Sequence, residues 1–355
     1  MKIILYTYDI MKIGGIETSF FNLAQYLKSK GYEVGVRYTV IAPMQMERYK
    51  KAGIDVSIQK KESCDILFIG SVWRRPNNIT ARLVVQQVHA DWSDDFWDGA
   101  PVGIKLLKGA EAGCDVFAAV SNSSANFVSG QTDKPVIVMN NLAPKNCVSK
   151  TMTHKKGSKL VVAAFTRMST EKGLKNYEAL RDRLKELKIE AELRVYTNGD
   201  APKGWKAYEP VPDITMELPE IDFVASLADT ESFGYTIAEA NSCGVPCIIK
   251  HTNSTAEFFS DKSNVIVDTI ADLDIKALRR KSNINYTLYT QTSKNIDKTM
   301  KQLEKLAAKK CIIKSMRSWK DLEAKKNRYA GEVFAVTNKR AKELLSNKFK
   351  IVEII

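Results

Sequence analysis

The chain has 355 residues, 44% of them apolar and 27% charged, with a formal net charge of +13. This composition excludes a disordered or collagen-like chain, and no apolar run approaches the ~18 residues that a membrane-crossing helix needs. A length of this order suits two domains of about 150 residues, so a cleft between them is the first place to expect function.

The positive excess is confined to one end. Residues 301–355 carry 15 Lys and Arg against 6 Asp and Glu, residues 271–300 carry 6 against 3, and residues 1–270 carry 33 against 32. A nearly neutral main body argues against a nucleic-acid cleft, which is normally basic, and ties the basic character to the solubility or the partners of a tail. MKIILYTY opens the chain as a buried first strand with no small-residue cleavage site behind it, so the expectation is a cytoplasmic protein. The six cysteines, Cys64, Cys114, Cys147, Cys243, Cys247 and Cys311, form no CxxC pair, and no His is spaced to complete a zinc site. Reduced, packed thiols are expected, with the closeness of Cys243 and Cys247 a coincidence.

In chain order, the first half alternates β-branched runs with amphipathic stretches: IILYTY, ETSFFNLAQYLKSKG, VGVRYTVI, DILFIGSV, RLVVQQVHA, CDVFAAVS and PVIVMNN. That rhythm predicts parallel βαβ units in a doubly wound sheet, with ligands at the carboxyl ends of the strands. Residues 141–159 are polar, basic and without apolar period, and read as a linker. The α/β pattern then restarts with KLVVAAFTR, KNYEALRDRLKELK, AELRVYT, DFVASLAD and CIIK. Residues 284–309 carry apolar side chains at mostly helical spacing and read as one closing helix. The last stretch reads as strand, polar loop, strand, a helix capped by Thr337 and a final strand. The expected division is 1–143 and 144–283 as two Rossmann-like domains, 284–309 as the closing helix and 310–355 as a small basic α+β module.

Three motifs carry chemistry. KIGGIETSFF places Gly14 and Gly15 between the first strand and the first helix, where backbone N–H groups approach an anion, although a Gly-Gly turn before a helix is also ordinary turn chemistry. AAFTRMSTEKGL brings Arg167 and Lys172 to the mouth of a strand, a planar fork and a point charge suited to two phosphates; a solvated basic loop is the plainer reading. ESFGYTIAEANSCGVP offers the N–H groups of Gly234, Tyr235 and Thr236 at a helix start, with Glu231 upstream and Glu239 within the helix. Thr236 and Glu239 also fit the T-x-x-E pattern of a capping box, so Glu239 has a purely structural reading, whereas Glu231 has no such alternative. The acidic run HADWSDDFWD holds Asp91, Asp94, Asp95 and Asp98 with Trp92 and Trp97; an acceptor-facing loop and a solvated helix face both fit it.

GGIET, TRMSTEKG and above all ESFGYTIAEANSCGVP, with its E-x(7)-E spacing, resemble the retaining glycosyltransferases of family 4 over residues 1 to about 309. The resemblance implies the two-domain GT-B fold and a metal-independent enzyme, with no cofactor and a UDP-linked nucleotide-sugar donor. By the same resemblance Gly14 and Gly15 abut the donor diphosphate, and Arg167 and Lys172 neutralise it. Glu231 holds hydroxyls of the transferred sugar, Gly234, Tyr235 and Thr236 bind sugar and phosphate oxygens, and Glu239 holds the ribose. His89, ending VVQQVHA, matches the family's histidine near the sugar, which makes Glu231, Arg167, Lys172 and His89 the catalytic set and Asp91 and Trp92 the acceptor side. The chain departs from the family at YTNGD (196–200), at Asn140-Asn141 and at HTNSTAEFF (251–259), where Glu257 still falls near the site.

GEVFAVTNKRAKELLSNKFKIVEI resembles a small β-rich module of phage and prophage structural-gene products, which implies a phage-encoded origin and a module that recruits an acceptor or partner. The acceptor stays open among cell-wall glycans, glycolipids with peripheral membrane contact, proteins and modified DNA. A second reading, from another class, is a non-catalytic scaffold with the same fold.

Overall fold

The computed structural model describes residues 1–355 except 12–13, 71–75, 91–99, 148–158, 212, 261, 280–283 and 348–349. Its first half contains β1 (Lys2–Tyr6), β2 (Asp9–Ile10), α1 (Gly15–Ser29), β3 (Glu33–Tyr38), β4 (Val40–Ile41) and α2 (Pro43–Lys51). Then follow β5 (Asp55–Ile58), β6 (Glu62–Ile69), β7 (Ile79–Val88), α3 (Ala100–Glu111), β8 (Val116–Ala119), α4 (Asn122–Ser129) and β9 (Val136–Val138). Seven of these strands form one sheet in the order β5-β3-β1-β6-β7-β8-β9, parallel throughout, while β2 and β4 pair separately. The sheet is buried on both faces, which is why its strands read as unbroken apolar runs. In β1, Ile3 and Leu5 pack into one cluster with Phe20 and Leu23 of α1, and Ile4 and Tyr6 into another with Leu67 and Phe117.

The second half repeats the plan: β10 (Leu160–Phe165), α5 (Leu174–Glu186), β11 (Ala191–Tyr196), β12 (Lys206–Tyr208), β13 (Phe223–Ser226), α6 (Tyr235–Ser242), β14 (Cys247–Lys250), α7 (Asn253–Phe259), β15 (Val265–Val267) and α8 (Ile275–Leu278). Its sheet runs β12-β11-β10-β13-β14-β15, also parallel. In both sheets the strand order reverses beside the first strand. A crevice opens at such a switch point outside the carboxyl ends of the strands, so the loops after β10 and β13 must meet there.

Helix α9 (Leu288–Ala307) crosses back to the first half. Its Ile296, Met300, Leu303 and Ala307 enter the same apolar cluster as α1, while Leu288, at its start, packs with the second half. Asn295 accepts the Asn140 N–H at 2.8 Å, and Asp297 accepts from the Tyr26 hydroxyl at 2.8 Å. The closing helix is therefore a strap that joins the two halves.

The last segment comprises β16 (Lys310–Ser315), β17 (Trp319–Asp321), β18 (Lys326–Arg328), β19 (Val333–Thr337), α10 (Asn338–Leu345) and β20 (Val352–Ile354). The central β16 pairs antiparallel with β19 and β20, and Thr337 caps α10 by accepting the Arg340 N–H at 3.2 Å. The expected polar loop is a short hairpin, β17 with β18. Ile313, Phe334, Ala341, Leu344 and Val352 form a separate core, and Lys310 pairs with Asp115 of the first half at 2.5 Å. Part of the basic excess is internal. The buried Asp321 is paired to Arg328 at 3.1 Å and to Arg340 at 3.3 Å, and the Arg328 guanidinium lies 3.6 Å from the centre of the Phe334 ring. Among the described residues no helix is long and apolar enough to cross a membrane.

One ion-pair network in the first half is buried enough to govern its stability. The Arg37 side chain, 1% exposed, donates to Glu62 at 2.5 Å and to Asp55 at 2.7 Å, and Glu62, 8% exposed, is also paired to Lys2 at 2.9 Å. Removing the guanidinium leaves the buried Glu62 carboxylate with Lys2 but without its main donor, so Arg37→Ala is expected to cost about 2–3 kcal/mol, below the full cost of an unpaired buried charge. Urea unfolding of the variant should show that loss as a lowered midpoint; an unchanged midpoint would contradict it.

Candidate functional site

The loops after β10 and β13 meet at the switch point. The β10 loop carries Arg167 and then a 3-10 turn, Thr170–Lys172, that ends at Gly173 in the left-handed region (φ 77°). The loop after β13 carries Glu231 to Gly234 and delivers the chain into α6. Lys172 Nζ lies 3.4 Å from Glu231 Oε2. The other oxygen, Glu231 Oε1, accepts the N–H groups of Ser232 at 3.0 Å, Phe233 at 3.4 Å and Gly234 at 3.1 Å. Glu231 therefore has the structural employment that the sequence did not reveal: it caps its own turn. The Gly234 N–H is accordingly occupied, and the open donors at the start of α6 are those of Tyr235 and Thr236, which have no intrahelical acceptor in the first turn.

The capping box expected of Thr236 and Glu239 does not form. Gly234, in the left-handed region at φ 80°, is the residue that starts α6, without a side-chain cap. Thr236 instead donates to the Phe165 carbonyl at 3.4 Å, tying α6 to the end of β10. Glu239 is thus free of its helix. The residue keeps some surface on the cleft, but its carboxyl is enclosed by protein. Burial first, and then the negative charge of Asp213, push its pKa up to about 7, while the positive charge of Arg48 opposes them.

From the first half, His89 follows β7. Its carbonyl accepts the Ser232 hydroxyl at 2.5 Å, so it sits against the Glu231 loop. Among the described residues neither imidazole nitrogen, both shut off from solvent, has a partner; the ring lies 6.0 Å from that of Phe20, and burial pushes its pKa down to about 4, so the imidazole is neutral. Gly14 precedes α1, and a Cβ on it would meet the Glu17 carboxylate, whereas one on Gly15 would meet nothing within 4 Å. The structure thus gathers Lys172, Glu231, Tyr235, Thr236 and His89 at one crevice. Arg167 is exposed on the β10 loop, two residues beyond Phe165, whose carbonyl Thr236 engages. Asp91 and Trp92, with Asp94, Asp95, Trp97 and Asp98, lie outside the described residues.

Several cleft residues carried no signal in the sequence. Ser121 of the α4 start and Ser254 of α7 meet across the halves at 3.2 Å, both buried. The Glu257 carboxylate accepts the Asn122 backbone N–H at 2.9 Å and its side-chain amide at 2.8 Å, which places the departing HTNSTAEFF segment as a clasp on the first half. α7 carries the capping box that was expected in α6, through Thr252 and Thr255. Cys147 and Cys243 are joined in a disulfide, so the expectation of six reduced thiols fails; Cys64, Cys114, Cys247 and Cys311 remain thiols. The pairing brings together residues 96 apart in sequence, a distance over which spacing says nothing.

No protein-family model matches the sequence, and no curated protein is significantly similar to it. The fold is similar to that of HepE of Anabaena in complex with UDP and glucose, at 15% identity over 85% of this chain and 99% of that one, with a TM-score of 0.65. A glycosyltransferase of Rickettsia africae is similar at 14% identity over 86% and 98% of the two chains, with a TM-score of 0.60. TarM of S. aureus, as a variant in complex with α-GlcNAc-glycerol and UDP, is similar at 10% identity over 86% and 99%, with a TM-score of 0.63. These likenesses show the fold: GT-B, two parallel α/β halves, here with an appended antiparallel module.

The raised pKa of Glu239 has a definite sign in stability. Folded, the carboxyl holds its proton up to about pH 7, whereas the unfolded chain releases it near 4.5. The unfolded state therefore binds fewer protons between these values, and stability falls as pH rises through that window. Glu239→Gln is expected to melt higher than the parent above pH 7 and to match it below about pH 4.5. Paired thermal melts across that range should show the gap opening; a pH-independent gap would contradict it.

Proposed function

We propose that this chain is a retaining glycosyltransferase that moves a hexose or N-acetylhexosamine from a UDP-linked donor to an acceptor bound at the first half of the cleft. The observation that carries the reading is the Lys172–Glu231 pair at the start of α6, where a cation, a carboxylate and the open N–H groups of Tyr235 and Thr236 converge. A cation and a helix N-terminus suit a diphosphate; a carboxylate suits the hydroxyls of a sugar. Two neighbouring folds, HepE and TarM, were solved with UDP, which supports a nucleotide-sugar.

In this reading residues 144–283 hold the donor and residues 1–143 the acceptor. Lys172 and Arg167 stabilise the charge that develops on the departing diphosphate, a task for which preorganised cations are suited. The bond from the anomeric carbon to the phosphate oxygen breaks, the acceptor oxygen bonds to that carbon on the same face, and the acceptor's proton passes to the leaving phosphate. Glu231, locked by its own turn, presents its Lys172-facing edge to the sugar, Glu239 accepts from the ribose, and neutral His89 contacts the sugar from above. Gly15 leaves open the space that the diphosphate requires. The acceptor class is a glycan, a lipid or a protein; the appended module serves to hold it or a partner.

Purified protein screened against a panel of UDP-sugars should release UDP, faster when the acceptor is present. Arg167→Ala is expected to lower kcat by about a hundredfold or more with unchanged melting temperature, and Glu231→Gln to lower it similarly with the fold retained and a slightly lower melting temperature, since Gln keeps an oxygen for the turn but not its charge. Near-normal turnover in both variants would refute the site, and no UDP release or transfer from any donor would favour a scaffold.

A further inference from the structure

A second group of polar side chains faces Glu239 from the first half. Helix α2 sets the Arg48 guanidinium over the Phe21 ring, 3.8 Å from its centre, and turns Tyr49 edge-on to the same ring at 5.3 Å. Tyr49 is fully buried, and among the described residues neither its hydroxyl nor Arg48 Nη1 has a hydrogen-bond partner. The ionisable groups that act on Arg48 are Tyr49 beside it and Glu239 and Tyr235 from α6; Glu17 acts on Tyr49. The Tyr235 hydroxyl lies by Ser19 and Asn22 of α1 without a well-formed hydrogen bond. Buried donors left unmade are costly, so a guanidinium N–H and a phenol held this way point to a ligand that supplies acceptors.

The position narrows the ligand. Lys172 and the open N–H groups stand at the start of α6, where the diphosphate is placed above, and Glu239 lies one helical turn further along. Acceptor atoms that reach between Glu239 and Arg48 therefore belong to the part of the donor beyond the phosphates. We infer that Arg48 and Tyr49 contact the nucleoside of the donor, donating to its base or ribose oxygens while Glu239 accepts from its hydroxyls on the opposite side. This rests on the function proposed above. It makes the first half a participant in nucleotide selection and gives the nucleotide a grip on both halves at once.

The test is calorimetric titration of the full chain and of Arg48→Ala, Tyr49→Phe and Lys172→Ala. The ligands are a panel of nucleoside diphosphates that includes UDP, and inorganic pyrophosphate. Arg48→Ala is expected to weaken the preferred nucleotide by about tenfold or more and Tyr49→Phe by a few-fold, with pyrophosphate binding unchanged in both. Lys172→Ala should weaken pyrophosphate as well. Tyr49→Phe removes one oxygen and keeps the packed ring, so it reports even if Arg48→Ala fails to fold. If the parent binds the nucleotide and both α2 variants match it, the inference is overturned while the proposed function stands. Equal losses for nucleotide and pyrophosphate in Arg48→Ala overturn it too, by making Arg48 a phosphate contact. If the parent binds no nucleotide of the panel, the proposed function falls and this inference with it.

Discussion

The carboxylate of Glu231 sits between a cation and a sharply turned stretch of backbone. Lys172 lies 3.4 Å from one oxygen, and the N–H groups of Ser232, Phe233 and Gly234 converge on the other. Hydrogen bonds to a charged acceptor are the strong ones, and three of them on one oxygen fix the loop and the carboxylate together. The turn requires Gly234 at φ 80°, where an added Cβ would lie 2.9 Å from Ile237 and 3.0 Å from Phe259. The facing loop needs Gly173 for the same reason, and more severely: a Cβ there would lie 2.1 Å from the Leu227 carbonyl oxygen. Asn176, in the first turn of α5, donates to that same carbonyl at 2.8 Å and to Asp229 at 3.0 Å. Two glycines thus let two loops approach until a lysine and a glutamate meet, and the switch-point topology decides which loops those are.

The same loop fastens the halves to one another. Ser232 binds the His89 carbonyl, Ser121 meets Ser254, and Glu257 clasps the start of α4. These contacts are polar and few, in contrast to the apolar seam by which α9 straps the second half to the first. A small polar interface between domains permits relative motion, whereas a continuous apolar one resists it. The strap therefore acts as the durable connection between the halves, and the cleft contacts as the weaker one. His89, with two buried nitrogens that lack partners among the described residues, and Arg48, with one, stand on the side of the cleft that those contacts hold in place.

The fold was legible because a parallel sheet buried on both faces needs apolar strands, and the runs IILYTY, VVQQVHA and KLVVAAF leave no other reading. The site was legible in part, since glycines, cations and carboxylates around a helix start have few purposes. What the sequence hid was how a side chain is spent. Thr236 and Glu239 stand at the spacing of a capping box, but the left-handed Gly234 starts the helix two residues too early for Thr236 to cap it. Glu231 looked idle, although any carboxylate three residues before a left-handed glycine is placed to gather the N–H groups between. Arg48 is one cation in a polar helix, and nothing in PMQMERYKK separates it from its lysine neighbours. Only the fold turns it toward α6.

Helix α6 is held at both ends, and this bears on how the site keeps its geometry. At the start, Glu231 and Thr236 anchor it to the two loops of the crevice. At the end, Cys243 is bonded to Cys147, on the segment that leaves the first half, and the Cys147 N–H donates to the Ser242 carbonyl at 3.1 Å. Between these anchors Asn241 is buried and exchanges two hydrogen bonds with Asn264, at 3.0 and 2.9 Å. A helix of only eight residues draws little stability from its own backbone bonds and depends on such tertiary ties. Its Tyr235 and Thr236 N–H groups and its Glu239 carboxyl are consequently presented as one rigid unit, and the connection between the halves runs directly into the back of that unit. Movement of the segment at Cys147 is then movement of α6, so the placement of these groups and the relation of the two halves are mechanically one variable.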